Sequence, residues 1–217
     1  MIMRNRCFFI LFICYILICS CKLDCGGYVY YDNEPVAEGY VLPERLYCGQ
    51  VRLQDGLATF YLTYDSLDVS VKYYHKGDEA YNRLSVKHRD SFEGWTNKYY
   101  FSTFSICYAM DFSSIDIICN REYDANHPAG SSLADIVNYE AISIYPWIRS
   151  GYQTEKKVYW ISKPLSLVEP DDMTMLFVLN FKLSLLIPPF ENGDYSFHIT
   201  LKTDDGLTYE IDQDVTF

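Results

Sequence analysis

The segment Tyr123-Asp124-Ala125-Asn126-His127-Pro128-Ala129-Gly130-Ser131-Ser132 gathers an imidazole, two hydroxyls and a carboxylate in one short stretch. Those are the parts of a serine hydrolase, in which histidine takes the serine proton and an acid orients the ring. The pattern argues against that use. Such sites assemble from distant segments, a Gly-Ser pair is common, and Ser132 already reads as a helix cap. Asp124 with Asn126 carries oxygens suited to calcium, as do Asp171 with Asp172 and Asp204 with Asp205, but none has the spacing of a complete calcium loop. His75, His88 and His198 are scattered along the chain and read as solvent-facing. No catalytic residue, metal or cofactor is assigned, and the chain is expected not to be an enzyme. The alternative is a glycan- or peptide-processing hydrolase whose carboxylates meet only in the fold.

Cysteine is the other source of chemistry. Arg4 and Arg6 precede an apolar run from Cys7 to Ile18, and the run closes on Ile18-Cys19-Ser20-Cys21. A basic start, a greasy segment and a small residue before a cut make an export signal. The run is shorter than the about 20 apolar residues that a spanning helix needs. A cut after Ser20 requires one small residue, whereas an ordinary secretory signal wants two, and Ile18 spoils the second. Ile18-Cys19-Ser20-Cys21 resembles the lipobox of bacterial lipoproteins. That resemblance implies a diacylglyceryl group on the thiol of Cys21, loss of residues 1–20 and acylation, with palmitate-like chains, of the freed amine. Each buried methylene contributes about 0.8 kcal/mol, so two or three chains on one residue anchor a protein lastingly. Lys22 follows Cys21, in place of the aspartate that in some of these lipoproteins is associated with inner-membrane retention. The expected location is therefore the cell envelope, as an outer-membrane lipoprotein facing the periplasm or the surface.

Cys25, Cys48, Cys107 and Cys119 remain, and an exported chain can oxidise them. Four cysteines allow three pairings. Cys107 with Cys119 is the favoured local pair, each lying near the end of a predicted strand, and Cys25 with Cys48 would then close the amino-terminal segment. Their spacing does not suit zinc.

The 217 residues carry a net charge of −11, and loss of Arg4 and Arg6 makes the chain two charges more negative. Such a surface repels nucleic acid and anionic lipid heads, so membrane contact falls to the lipid on Cys21. The remaining partner is a protein or a glycan. Trp147 and Trp160 stand in apolar settings and read as core. Trp95, within Glu93-Gly94-Trp95-Thr96-Asn97, is the tryptophan expected to be exposed and to touch a partner.

These residues need elements to hold them, and the chain reads as mainly all-β. Its 21 tyrosines and 13 phenylalanines suit pleated, half-buried surfaces. Period-two alternation marks strands at Leu67–Tyr73, Ile115–Cys119 and 173–187, the last apolar on both faces for part of its length. It is clearest in Tyr195–Leu201 and Leu207–Phe217, joined by Asp204-Asp205-Gly206 as a hairpin. One short helix is expected at 132–139, with Ser132 and Asp135 as its capping pair. Residues 75–98 read as an extended loop. The fold expected is an immunoglobulin-like antiparallel β-sandwich with one short helix, preceded by a signal peptide. The boundaries are 1–20 for the signal, 21–48 for the lipidated terminus, tether and first strand, and 49–217 for a single sandwich domain. The phrase Asp124-Ala125-Asn126-His127-Pro128-Ala129-Gly130-Ser131-Ser132-Leu133 is similar to a segment of the small, acidic, tyrosine-rich lipoproteins of Bacteroidota. That resemblance implies a compartment and a fold, and no activity: a membrane-anchored binding or structural module.

Overall fold

A computed structural model describes residues 28–97 and 106–217. They form a mainly β-sheet domain with short helices. In chain order the strands are β1 (Tyr28–Glu34), β2 (Gly39–Leu42), β3 (Tyr47–Gln54), β4 (Leu57–Thr63), β5 (Lys72–His75), β6 (Phe92–Asn97) and β7 (Ile106–Tyr108). Then come β8 (Phe112–Cys119), β9 (Val137–Ser143), β10 (Tyr159–Pro164), β11 (Phe181–Leu185), β12 (Asp194–Thr203) and β13 (Thr208–Thr216). Two α-helices interrupt them, α1 (Glu79–His88) and α2 (Tyr145–Arg149).

Two sheets enclose the larger core. One has the order β10-β9-β11-β4-β3 and the other β13-β12-β8. Alternation sets which side chains meet, because successive residues of a strand point to opposite faces. Ala58, Phe60 and Leu62 of β4 therefore point with Val137, Tyr139, Phe181 and Leu183 toward Phe197, Ile199 and Leu201 of β12. Rings interlock between the sheets: Phe60 meets Phe197 at 5.1 Å and Phe112 meets Phe181 at 5.6 Å. Such pairs add about 0.5–1.5 kcal/mol beyond the area they bury. The carboxyl-terminal hairpin is present as the alternation predicts, with Gly206 at φ 90° in its turn. A second hairpin, β3 to β4, turns on Asp55 (φ 52°) and Gly56 (φ 74°), the paired positive φ of a tight two-residue turn.

A second, smaller core lies at one end of these sheets. The three-stranded sheet β5-β2-β7 contributes Tyr40 and Cys107, α1 adds Tyr81, and α2 adds Trp147 and Ile148. Val36 and Ala37 are buried here too, so the chain from Val36 onward belongs to the domain and not to a tether.

Several expectations are corrected. The long strand expected over 173–187 is a strand only at Phe181–Leu185, because the chain between Met173 and Phe177 threads between the two cores. Met173 and Leu176 enter the first core and Met175 and Phe177 the second, which explains an alternation apolar on both faces. Met175 and Asn180 take positive φ and break the strand. The helix expected at 132–139 is a single 3-10 turn at Ala134–Ile136 followed by β9, since Val137, Tyr139 and Ala141 bury one face at period two. Residues 75–98 are not a loop. They hold α1, whose Tyr81, Ser85 and His88 form the buried stripe. Leu67 and Val69 lie exposed in turns, and that strand begins at Lys72. Among the described residues there are thus two α-helices where one was expected, in neither case at the expected place.

The junction of the ribbon β1-β6 with the rest turns on Asp90. Its carboxylate is almost fully buried and accepts the N–H groups of Val36 (2.7 Å) and Ala37 (2.9 Å). Burial raises its pKa, while the two backbone N–H bonds, together with His88 and Lys76, oppose the rise. Asp90→Ala should lower stability on the order of 3 kcal/mol, from two stranded donors at about 1–3 kcal/mol each. Urea unfolding checks this against Asp90→Asn, which keeps one acceptor; equal midpoints for the two variants would refute the assignment.

Candidate functional site

The strand registers sort the loops to two ends of the larger core. Gln54 pairs with Leu57, Val137 with Leu185 and Asn138 with Pro164, which puts the 55–56 turn, the 120–136 loop and the 186–193 loop together. The smaller core, and with it the entry of the chain at Val36, occupies the opposite end.

At the end away from chain entry, Leu186-Ile187-Pro188-Pro189-Phe190 forms an apolar crest. Phe190 is 80% exposed, Leu186 48% and Ile187 39%, while Pro189 is buried. The crest is held by its backbone. Leu186 N–H donates to the Ile136 carbonyl (2.9 Å), Phe190 N–H to that of Tyr123 (2.8 Å), and the Tyr123 hydroxyl to that of Ile187 (2.7 Å). Pro188 lies against Gly56, where an added Cβ would stand 3.5 Å from it. Exposed apolar patches of this kind mark interaction surfaces. Acids stand beside it: Asp55 next to Gly56, and Glu191, which pairs with Arg121, next to Phe190.

The crest stands on the loop that carries His127, whose carbonyl accepts the Tyr123 N–H (2.8 Å). His127 is buried between two carboxylates. Its Nδ1 meets both oxygens of Asp124 at 2.8 Å and its Nε2 meets Asp135 Oδ1 at 2.9 Å. Burial pulls the imidazole pKa down, but the bonds to Asp135 and Asp124 outweigh it and hold the value above the ordinary one. For Asp124 burial acts upward, and the N–H of Asn126 with His127 brings the carboxyl below its usual range. No serine reaches the ring. Ser131 donates to the Pro128 carbonyl and Ser132 to Asp116, so the hydrolase parts are brought together as a clamp and not as a nucleophile with its base.

The other sequence candidates divide as follows. Cys107 and Cys119 are free, buried thiols in separate cores, which corrects the disulfide expected between them. Burial raises the pKa of both, leaving them protonated and unreactive. Cys48 is also free, its thiol donating to the Gln50 carbonyl, and Cys25 and Cys21 lie outside the described residues. Trp95 lies in β6 opposite Tyr30, its side chain outside the described part. Trp147 is core as expected, whereas Trp160 is half exposed on the edge strand β10, a correction. His75 is exposed, and His198 pairs with Asp212 at 2.8 Å. His88, expected at the surface, is buried and gives its Nε2 to Asp111. The acids considered for calcium are engaged by protein donors: Asp171 by Arg149, Asp172 by Lys163 and Asp204 by Lys87. Among the described residues no group of three or more His, Cys, Asp and Glu side chains gathers as a metal site. No helix among them is long and apolar enough to cross a membrane. No protein-family model, curated protein or solved structure matches the chain.

The clamp has a definite pH signature. His127, with its pKa raised in the fold, contributes fully below the ordinary histidine value and loses that contribution as pH rises through the raised one. Asp124, with its pKa depressed, contributes above the ordinary carboxylate value and loses it as pH falls. The clamp is therefore complete between about pH 4 and 6.5. Urea midpoints of the protein and of His127→Gln should differ most in that window and less by about pH 9. A difference constant across the range would refute the charged clamp.

Proposed function

We propose that this chain is an envelope lipoprotein, anchored through lipid on Cys21, whose immunoglobulin-like β-sandwich binds another protein through the crest Leu186–Phe190. The observation that carries the reading is the crest itself. Phe190 stands 80% exposed on a loop whose fixing hydrogen bonds all come from backbone or from Tyr123, so folding does not require an aromatic side chain there. A partner with an apolar surface edged by basic residues complements the crest and its acids. The position supports the same reading, since an anchor joined at the chain-entry end leaves the crest at the end facing away from the membrane. The reading is of a non-enzymatic binding module.

Two measurements test it. Intact mass of the protein from a bacterial membrane fraction should show a chain beginning at Cys21 with added acyl mass, and Cys21→Ala should lose both the mass and membrane retention. An unacylated soluble chain overturns the anchor. A photo-crosslinking residue at position 190 should give a discrete protein adduct in the envelope that Leu186→Asp abolishes. The same residue at Val69, fully exposed at the opposite end, is the control. Equal labelling from both positions overturns the docking surface.

A further inference from the structure

The carboxyl ends of α1 and α2 enclose a cleft of about 550 Å³ at the chain-entry end. That lies within the ~300–1,000 Å³ typical of clefts for small ligands. Its walls set Tyr145, Ile148 and Tyr152 among three cations, Lys87, Arg89 and Arg149. In a chain with 29 acidic and 18 basic residues such a grouping is against the average. Two of the cations are committed. Lys87 reaches Asp111 (2.7 Å) and Asp204 (2.8 Å), and Arg149 pairs with Asp171. The exposed guanidinium of Arg89 has no hydrogen bond or ion pair with any described residue.

The backbone makes Arg89 stand out further. It closes α1 in the left-handed region at φ 56°, with its N–H turned back to the helix carbonyls. Glycine is the usual residue at such a helix end, because it carries no Cβ to strain there. Arginine at this point strains the backbone, a cost that its charge at the helix carboxyl end offsets only in part. Across the cleft Tyr152 is also left-handed, at φ 63°. Its hydroxyl accepts the Ser91 N–H at 2.7 Å and donates to the Arg89 carbonyl at 3.2 Å, so the two uncommon conformations brace each other.

We infer that this cleft binds a carboxylate-bearing sugar, a uronic acid unit of a glycan, with the carboxylate on Arg89 and the sugar ring against Tyr145 and Tyr152. A guanidinium offers two parallel N–H donors that match the two oxygens of a carboxylate. Each tyrosine presents an apolar face for the C–H face of a pyranose, and Tyr145 adds a hydroxyl for its rim. Inorganic phosphate matches the charge but leaves the aromatic walls unused. The inference stands on observations separate from the crest, at the other end of the domain.

Calorimetric titration of the purified chain with trigalacturonate, galactotriose and inorganic phosphate tests it. Trigalacturonate should bind saturably and at least about tenfold more tightly than the other two. Arg89→Gly should weaken that binding by about tenfold or more while raising the melting temperature, because glycine relieves the positive φ. Tyr145→Ala should weaken binding without the thermal gain. Absence of saturable binding at millimolar trigalacturonate, phosphate binding as tightly, or unchanged affinity in Arg89→Gly would each overturn the inference. So would a lower melting temperature in Arg89→Gly.

Discussion

Two carboxylates inside a strand-rich domain impose the constraint on which the smaller core depends. A buried carboxylate is costly unless donors surround it. Asp90 and Asp111 draw their donors from different layers. Asp90 takes the N–H groups of Val36 and Ala37, while the hydroxyl of Ser85 in α1 donates to the Asp90 carbonyl. Asp111 takes His88 and Lys87 from the end of α1 and the Met175 N–H from the crossing segment. Burial acts to raise the pKa of Asp111, but His88 and Lys87 bring it below the usual range. The carbonyl of Asp111 also accepts the Asp204 N–H from the carboxyl-terminal hairpin, which belongs to the larger core. Amino-terminal segment, helix, crossing segment and hairpin are thus tied through two residues, Asp90 and Asp111.

The same arrangement explains which parts of the fold were legible in the sequence. Strands that bury one face against a single core obey period two cleanly, and Tyr195 to Phe217 is the plainest case. The segment from Met173 to Phe177 is apolar at both parities because it serves two cores, so its pattern overstates the strand. The first helix was invisible because its buried stripe is Tyr81, Ser85 and His88, a polar and aromatic set fixed by the carbonyls of Ala37 and Asp90 and the carboxylate of Asp111. The Asp55-Gly56 turn carried the signal that was recognised at Asp205-Gly206, and an equal weighting of the two would have found it.

The candidate sites follow a similar division. His127 attracted notice because its neighbours in sequence suggested catalysis, yet its second partner, Asp135, was read as a helix cap. Only the fold shows that one acid had to do one job and that the ring took it. The cysteines misled for a simpler reason: strand ends near in sequence gave no measure of which core each thiol would enter. The crest Leu186–Phe190 was readable as an apolar run with two prolines, but it was merged with the strand before it. Nothing in the local pattern distinguishes Leu185, buried in the sheet, from Leu186, exposed one residue later.

Exposure and strain carry different weight as signs of function. An exposed leucine alone means little, since apolar atoms supply much of any folded surface. The crest differs because its shape is set by backbone bonds that polar side chains would leave intact, so selection for folding does not account for its composition. Arg89 presents the complementary case. A helix end that glycine would close without strain is closed by a residue that must hold a positive φ, and the neighbouring turn uses Tyr152 in the same way. Backbone strain alone favours glycine at both positions, but Tyr152 offsets its strain through its hydroxyl bonds to Ser91 and Arg89 and its packing on Trp147. Both side chains line one cleft, and that shared wall, more than either strained residue, is the ground for the proposed site.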